Sequence, residues 1–348
     1  MLDNQSRVEI AQLGEFGLIK HLTQHIALKN PGTLKGVGDD AAVIDAGEKA
    51  MLVSTDMLVE GVHFDLGYVP LKHLGYKSAI VNFSDIFAMN GMPRQLLISI
   101  AISSKFPLDA VEEIYAGLLL ACERYGVDLV GGDTSSSRMG MVISGTIIGE
   151  AKKEDVVYRS GAKEKDLLCV SGDLGGAYMG LLLLEREKEV FKTAPGVQPD
   201  LEGNDYILER QLKPEARIDI IKTLGEIGVK PTAMIDISDG LASELLHLCT
   251  ESNLGAQLYE EKIPIDPLTY SRAREFNLDP TLCALSGGED YELLFTINMN
   301  DYEKIRNNPD ITVIGHMTAA SAGVNLVSKS NTIHPVMAQG WDALKGKR

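Results

Sequence analysis

The sequence predicts two domains that each mix helices and strands, in the α/β or α+β class. The chain has 348 residues, which is long enough for two domains or one large one. Short apolar segments typical of strands alternate with segments of helical spacing in both halves. Between Glu150 and Ser160 the apolar pattern gives way to charge, so we place the domain boundary there, separating 1–150 from 151–348.

In the first half, apolar periodicity predicts three helices and four strands. The predicted helices span 13–26, 74–89 and 110–125, and Gly126 ends the third. The predicted strands span 51–54, 95–102, 128–130 and 141–148. A turn-rich segment around Gly38 precedes a further apolar run at 41–44.

The second half repeats the alternation. Its predicted strands span 167–170, 234–237, 293–297 and 312–314. Its predicted helices span 177–184, 218–227, 241–249 and 271–276. The stretch at 185–203 is polar and contains proline and glycine, and the sequence predicts no role for it.

The composition predicts a cytoplasmic globular protein. Apolar residues make up 45% of the chain, and no run approaches the roughly 18 residues of a membrane span. The opening MLDNQSRVEI lacks the basic and apolar regions of a signal peptide. The cysteines are scattered without a CxxC pair, which predicts reduced core thiols. They are Cys122, Cys169, Cys249 and Cys283.

The net charge of −16 disfavours binding to nucleic acid or to an anionic membrane. If the substrate is itself an anion, cations must lie between it and an acidic site. An acidic chain that binds a nucleotide therefore implies several divalent metal ions.

A recurring pattern of apolar strands ending in glycine, serine and aspartate is the main chemical signal. Its members are Gly38-Asp39-Asp40, Ser54-Thr55-Asp56, Gly132-Asp133 and Asp236-Ile237-Ser238-Asp239, with Asp85 in a predicted helix. Carboxylates at strand ends are held rigidly and can point into one crevice, and Mg2+ prefers such oxygen ligands. Each motif alone is a weak signal, more typical of a turn or a helix N-terminus than of a metal site. Five of them in one chain favour a site that binds several Mg2+ ions.

The usual nucleotide motifs, the P-loop and GxGxxG, are absent from the sequence. The segment Ser171-Gly172-Asp173-Leu174-Gly175-Gly176 faintly resembles a phosphate loop, but close packing of a helix on a strand is the preferred interpretation. Several other residues could contribute to a binding site, but each also has a simpler structural interpretation. They are His63, Tyr115, Arg159, Lys163, Glu289, Asp290 and Trp341.

Taken together, these segments resemble the thiamine-monophosphate kinase family almost from end to end. The matching pieces are GEFGLI, GVGDDAAV, STDMLVEGVHF, NFSDIFAMNGMP, GGDTS, RSGAK, IDISDGL and SGGEDYELLFT. The resemblance implies a two-domain fold like that of aminoimidazole-ribonucleotide synthetase and selenophosphate synthetase, with a homodimer formed by the first domain. It implies that ATP phosphorylates thiamine monophosphate to thiamine diphosphate, the last step of thiamine diphosphate synthesis.

The resemblance also implies the site residues. The implied Mg2+ ligands are Asp40, Ser54, Thr55, Asp56, Asp85, Asp133, Asp236 and Asp239. The implied ATP contacts are Tyr115, Gly132, Asp133, Arg159 and Ser238, and the implied thiamine monophosphate contacts are His63, Glu289 and Trp341. The residues expected to act in catalysis are Asp56, Asp85, Asp133, Asp236 and Arg159. Around Trp341 the sequence GWDALKG departs from the family pattern.

The acceptor in such a reaction is an ionised phosphate oxygen, so we expect direct in-line transfer without a general base. Two sister enzymes of the same fold, selenophosphate synthetase and aminoimidazole-ribonucleotide synthetase, are alternatives. The first cysteine, Cys122, lies in a predicted helix, which argues against the former. A noncatalytic nucleotide- or metal-binding module is the alternative from another class, and the sequence leaves open whether potassium takes part.

Overall fold

The computed structural model describes residues 10–194 and 196–338, which build two mixed β-sheets flanked by helices. The strands of the first sheet are β1 (Thr33–Lys35), β2 (Ala42–Ala46), β3 (Lys49–Val59), β4 (Met92–Ile102), β5 (Asp128–Ser136) and β6 (Val142–Lys152). Their order across the sheet is β1-β2-β3-β6-β4-β5. The helices of this half are α1 (Ile10–Thr23), α2 (Leu71–Ala88) and α3 (Leu108–Tyr125).

The second sheet has seven strands among the described residues. They are β7 (Leu167–Ser171), β8 (Ala233–Asp236), β9 (Leu254–Tyr259), β10 (Leu293–Ile297), β11 (Ile311–Ala319), β12 (Val324–Val327) and β13 (Ile333–Pro335). They lie in the order β13-β12-β9-β11-β7-β10-β8. The helices are α4 (Gly176–Thr193), α5 (Asp205–Leu212), α6 (Ile218–Glu226), α7 (Leu241–Ser252), α8 (Pro267–Glu275), α9 (Pro280–Ser286) and α10 (Tyr302–Ile305).

Helix α2 is buried on nearly all sides and packs against both sheets, contacting β3, β4 and β6 of the first sheet and β8 of the second. Its backbone also touches that of α3. A Cβ atom on Gly75 would lie 1.8 Å from the carbonyl oxygen of Ile114, so only glycine fits there. One apolar core therefore runs from α2 into both sheets. The chain passes from the first sheet to the second between Lys152 and Leu167, and the division into two domains at 150 stays a prediction.

Two acidic motifs expected at strand ends lie inside strands instead. Strand β3 continues past Ser54 to Val59 because β6 pairs with it along its whole length, from Lys49 to Val59. The Gly132-Asp133 motif lies within β5, which pairs with β4. Extended pairing with a neighbouring strand outweighs the turn preference of Gly and Asp at these positions.

Most other predicted elements are found with shifted ends. Gly126 ends α3 in the left-handed conformation, as expected, with φ at 68°. Helix α4, predicted over 177–184, runs on to Thr193 and so takes up the first half of the polar stretch at 185–203. The elements that were not predicted are helices α5, α9 and α10 and strands β1, β9, β12 and β13.

Candidate active site

Three carboxylates meet where α2 passes between the sheets. Asp40 comes from the loop before β2, Asp85 from the last turn of α2, and Asp236 from the end of β8. One ligand oxygen of each lies within 4.8 Å of the others. The side chains of Asp40 and Asp236 are buried. Residues far apart in the chain thus form one compact group of acids.

Strand β3 adds Ser54 and Asp56 to this group from the sheet face that α2 covers. The Ser54 hydroxyl donates a hydrogen bond of 2.6 Å to Oδ2 of Asp85, and Asp56 shares a hydrogen bond with the Asp85 side chain. In the same way, Ser84 Oγ donates to Oδ2 of Asp236 over 2.6 Å. These hydroxyls orient the carboxylates of Asp85 and Asp236.

Burial makes these carboxyl groups harder to ionise than a free aspartate. Desolvation raises the pKa of Asp40 to about 7, although the nearby Arg159 works against the rise. Desolvation likewise raises the pKa of Asp56 to about 6 and that of Asp236 to about 6. The pKa of Asp85 is raised well above its usual value by burial and by repulsion from the neighbouring acids. A bound cation would offset this cost of ionising the carboxyl groups.

Arg159 supplies the guanidinium that faces these acids. Its Nη2 donates to Oδ1 of Asp40 over 2.6 Å, and its backbone N–H donates to Oδ1 of Asp39 over 2.8 Å. The second oxygen of Asp40, Oδ2, is buried and has no hydrogen-bond partner within the described part of the chain. Four carboxylates and one guanidinium leave an excess of negative charge.

This donor set fits a hard divalent cation. Its donors are carboxylate and hydroxyl oxygens, which Mg2+ prefers over nitrogen and sulfur ligands. The unpartnered Oδ2 of Asp40 and the 4.8 Å grouping with Asp85 and Asp236 are what such an ion would satisfy. Of the predicted ligands, Asp40, Ser54, Asp56, Asp85 and Asp236 are brought together.

Thr55 and Asp133 lie apart from this group, on the other face of the first sheet. Side chains alternate along a strand, so Thr55 points away from Ser54 and Asp56, and its hydroxyl donates to the Gly145 carbonyl over 2.7 Å. Asp133 is exposed on the edge strand β5, three strands from β3 and so about 14 Å along the sheet.

The other two predicted ATP contacts of this half, Gly132 and Tyr115, are fixed by packing within it. Gly132 precedes Asp133, and a Cβ there would lie 1.7 Å from the carbonyl oxygen of Ile98, so close strand pairing requires glycine. Tyr115 is half-buried on α3 and packs against the apolar core. The structure does not join these residues to the buried acids.

The loop before α7 holds Ser238 and Asp239, and a residue that the sequence reasoning missed supports it. Glu244 is 2% exposed, and its Oε1 accepts hydrogen bonds from the backbone N–H groups of Ser238, at 3.2 Å, and Asp239, at 2.8 Å. The Ser238 hydroxyl also donates to it. A glutamate in the first turn of a helix that reaches back to preceding N–H groups resembles a capping box, and this spacing could have revealed it.

His63 and Glu289 lie near one another, as the electrostatic effect of Glu289 on His63 indicates. Nδ1 of His63 accepts the Val59 N–H over 3.0 Å, so the neutral ring carries its proton on Nε2. Burial lowers the pKa of His63. Lys77 pairs with Glu289 at 2.9 Å, and Gln211 donates to it over 2.8 Å. Lys77 and Gln211 were not predicted as part of the site.

Asp290 explains the segment that resembled a phosphate loop. Its carboxylate accepts the N–H groups of Gly175, at 2.8 Å, and Ala177, at 3.3 Å, and so occupies the N-terminus of α4. Arg210 faces it at 3.5 Å. The position that a phosphate would take is filled by the protein itself.

Lys163 is exposed, and Trp341 lies outside the described residues.

Comparisons with known proteins decide the family. A family model described as "AIR synthase related protein, N-terminal domain" matches residues 38–151. A thiamine-monophosphate kinase of Aquifex aeolicus is 36% identical over 312 residues, covering 89% of this chain and 93% of that protein. One of Bacillus subtilis is 32% identical over 342 residues, covering 96% and 100%. The chain belongs to the thiamine-monophosphate kinase family.

Solved structures of the family have the same fold. A structure described as "AaThiL complexed with AMPPCP and TMP" has a TM-score of 0.83 and 33% identity, covering 97% of this chain and 99% of that one. The thiamine monophosphate kinase of Aquifex aeolicus has a TM-score of 0.74 at 33% identity, covering 92% and 98%. The hydrogenase maturation protein HypE in complex with ATP, at 20% identity and a TM-score of 0.67 over 97% of this chain and 100% of that one, shares the fold. The predicted fold and the predicted enzyme class are confirmed.

Among the described residues, no helix has the length and apolarity needed to span a membrane.

Proposed function

We propose that this chain uses ATP to phosphorylate thiamine monophosphate to thiamine diphosphate, by direct in-line transfer at a site of several Mg2+ ions. The observation that carries the proposal is the buried group of Asp40, Asp85 and Asp236, which Asp56 and Arg159 extend. The family relatives are named for this activity, and the AaThiL structure contains AMPPCP and TMP. Thiamine diphosphate synthesis would end with this step.

The acceptor and the donor of the phosphoryl group are both anions, and the site must overcome their repulsion. Bound Mg2+ would supply the positive charge that offsets it. Asp40, Asp56, Asp85 and Asp236 would hold the ions, and Ser54 and Ser84 fix the orientation of two of these carboxylates. With a cation held by Asp40, the Arg159 guanidinium that now pairs with that carboxylate would be available to bind the transferred phosphoryl group.

The remaining predicted residues divide between the two substrates. We propose that Thr55, Asp133 and Asp239 bind further Mg2+ ions, and that Tyr115, Gly132, Asp133, Arg159 and Ser238 contact ATP. His63 and Glu289 would contact thiamine monophosphate, with Lys77 and Gln211 fixing the Glu289 carboxylate. No covalent phosphoenzyme is needed, because the acceptor oxygen is already ionised near neutral pH. A radiolabelled phosphoprotein trapped during turnover would contradict direct transfer.

The experiment that tests the function compares acceptors under one set of conditions. Purified protein with ATP and Mg2+ is offered thiamine monophosphate, thiamine, other phosphate monoesters and selenide, and the products are separated by chromatography. We expect thiamine diphosphate and ADP in equal amounts from thiamine monophosphate, and at least about a hundredfold less product from the others, since only one acceptor fits both the phosphate and the ring contacts. Equal turnover of selenide or of thiamine would overturn the proposal.

We also propose that two copies of the chain pair through the open face of the first sheet. That face carries Thr55 and Asp133 and exposes apolar side chains, including Met57, which is 56% exposed. Strand β5 is an unprotected edge next to it. Covering the face would shield a bound nucleotide from water.

Sedimentation velocity tests this pairing with a matched pair of variants. Met57→Glu places a charge on the proposed interface, whereas Met299→Glu changes a methionine that is 57% exposed outside both sheets. We expect the wild type and Met299→Glu to sediment at twice the mass of the chain, and Met57→Glu to have at least about a tenfold weaker self-association, because a buried unpaired charge is costly. A monomeric wild type, or an unaffected Met57→Glu, would refute the proposed interface.

A further inference from the structure

Four side chains connect the segment between β3 and α2 to helix α4 of the other half of the chain. The Lys188 ammonium lies 2.7 Å from Oδ2 of Asp65 and 3.4 Å from Oε2 of Glu185. The Tyr68 hydroxyl donates to Oε1 of Glu185 over 2.8 Å. The same ammonium lies 5.6 Å from the centre of the Tyr68 ring. We call Asp65, Tyr68, Glu185 and Lys188 the α4 clasp.

The segment that the clasp holds, residues 60–70, carries His63. Its start is fixed by short-range contacts, since Gly61 N–H donates to the Phe64 carbonyl over 2.8 Å and Phe64 is buried in the core. Its later part is a turn in which Oδ1 of Asp65 accepts the Gly67 N–H over 2.7 Å. The Asp65 carboxylate therefore belongs both to the turn and to the clasp, so loosening one loosens the other.

The charged residues of the α4 clasp are less exposed than the ion pair that follows it on the same helix. Lys188, Asp65 and Glu185 are each only partly exposed, and one ammonium serves two carboxylates. Lys188 lowers the pKa of Asp65, and burial raises the pKa of Tyr68. One turn further on, Lys192 pairs with Glu189 within the helix at 2.7 Å, and both side chains are more than half exposed. Lys192 thus gives a chemically matched control: it forms no hydrogen bond or ion pair with residues 60–70 in the described structure, and its charge lowers the pKa of Asp65 less than Lys188 does.

Helix α4 connects the two sides of the proposed thiamine monophosphate site. Its N-terminus is bound by Asp290, the neighbour of Glu289, and its Lys188 holds Asp65, two residues from His63. Gly176 and Lys188 are twelve positions apart, which corresponds to about 18 Å of helix. The helix therefore ties the loop that carries Glu289 to the loop that carries His63, whose side chains lie near one another.

We propose that Lys188 and Glu185 are positioning residues that hold His63 at the correct distance from Glu289 for thiamine monophosphate. This inference rests on the proposed function, because it presumes that His63 contacts that substrate. It gives a role to the start of the stretch at 185–203, for which the sequence indicated none. Neither residue belongs to the group of acids around Asp85, so the effect should fall on substrate affinity and not on the chemical step.

The test compares Lys188→Met with Lys192→Met in steady-state kinetics. We expect Lys188→Met to raise the KM for thiamine monophosphate roughly five- to tenfold while kcat and the KM for ATP change less than about twofold, which is the size expected from losing a partly exposed charged network. Lys192→Met should match the wild type, and Lys188→Arg should recover most of the lost affinity. An unchanged KM in Lys188→Met, or an equal change in Lys192→Met, overturns the proposal.

Hydrogen exchange of the free proteins gives a readout that does not depend on activity. The amides of residues 61–70 should exchange faster in Lys188→Met and in Tyr68→Phe, which removes only the hydroxyl that reaches Glu185, than in Lys192→Met. If the wild type does not phosphorylate thiamine monophosphate, the proposed function fails while the exchange result still tests the clasp. Faster exchange with an unchanged KM would show that the clasp orders the segment without positioning His63, and would overturn the proposal.

Discussion

Replacing Asp85 by asparagine is expected to reduce kcat by about a thousandfold or more, the equivalent of several kcal/mol of lost charge stabilisation. Asp85 lies within 4.8 Å of Asp40 and Asp236, accepts the Ser54 hydroxyl and shares a hydrogen bond with Asp56. Asparagine keeps the shape and can still accept from Ser54, but it binds a divalent cation poorly. Steady-state kinetics over a wide range of Mg2+ concentrations measures the effect.

The same substitution should make the metal-free protein more stable, because it removes one of four mutually repelling buried carboxylates. Desolvation raises the pKa of Asp40 to about 7 and those of Asp56 and Asp236 to about 6, from an ordinary value of 3.8. Because these pKa values are raised in the native state, protonation of the groups stabilises that state, most fully when the pH is below their ordinary pKa of 3.8. This stabilisation is lost as the pH rises through 6 to 7. The gain from Asp85→Asn should therefore grow with pH, to the order of 2 kcal/mol near pH 8.

Thermal unfolding in a chelator, at about pH 5.5 and about pH 8, tests whether Asp85→Asn stabilises the metal-free protein and does so more at the higher pH. Asp109→Asn is the control, because Asp109 is exposed in the first turn of α3, and it should change neither kcat nor the pH dependence. Added Mg2+ should stabilise the wild type and the control but not Asp85→Asn. A variant that keeps its activity, or one that is less stable than the wild type without metal, would contradict the assignment of Asp85.

Replacing Arg159 by methionine is expected to have the opposite effect on the metal-free protein. Its guanidinium, 2.6 Å from Oδ1 of Asp40, faces the buried acids, and removing one partner of a buried pair costs about 3 kcal/mol. Bound Mg2+ should recover much of that stability, since it supplies the missing positive charge, and a nucleotide analogue can bring further Mg2+ with it. Because Arg159 would also bind the transferred phosphoryl group, kcat should fall by about a thousandfold.

Unfolding with and without Mg2+ and a nonhydrolysable ATP analogue, together with steady-state kinetics, separates the two roles of Arg159. Lys163→Met is the matched control, because it removes an exposed charge from the same RSGAK segment. A stability in chelator equal to that of the wild type would mean that Arg159 does not balance the acids. A normal kcat would mean that it does not act on the phosphoryl group.

The acids themselves could be predicted from the sequence, but their arrangement could be predicted only in part. Asp236 ends β8 as expected. Asp56 was expected at a strand end and lies inside β3, because pairing with β6 extends the strand on both sides of it. Had the strand been predicted at its full length, the alternation of side chains would have placed Thr55 on the opposite face from Ser54 and Asp56.

The supporting residues were missed because their roles depend on contacts between distant segments. Lys77 is 3% exposed, yet nothing in its neighbourhood in the sequence distinguishes it from a solvated helix lysine; its partner Glu289 lies more than 200 positions away. Ser84 supports Asp236 across 152 positions in the same way. Local patterns predict elements and single motifs, whereas such pairings are decided by how the two sheets pack on α2.

The burial of α2 between the sheets has a consequence for the geometry of the two substrates. The helix carries Lys77, at the proposed thiamine monophosphate end, and Asp85, at the metal end. The two residues are eight positions apart on the helix, so their axial spacing is about 12 Å. The distance between the proposed acceptor end and the metal end is therefore set by the number of helical residues between them. Inserting one residue between the two positions would rotate one end by about 100° relative to the other.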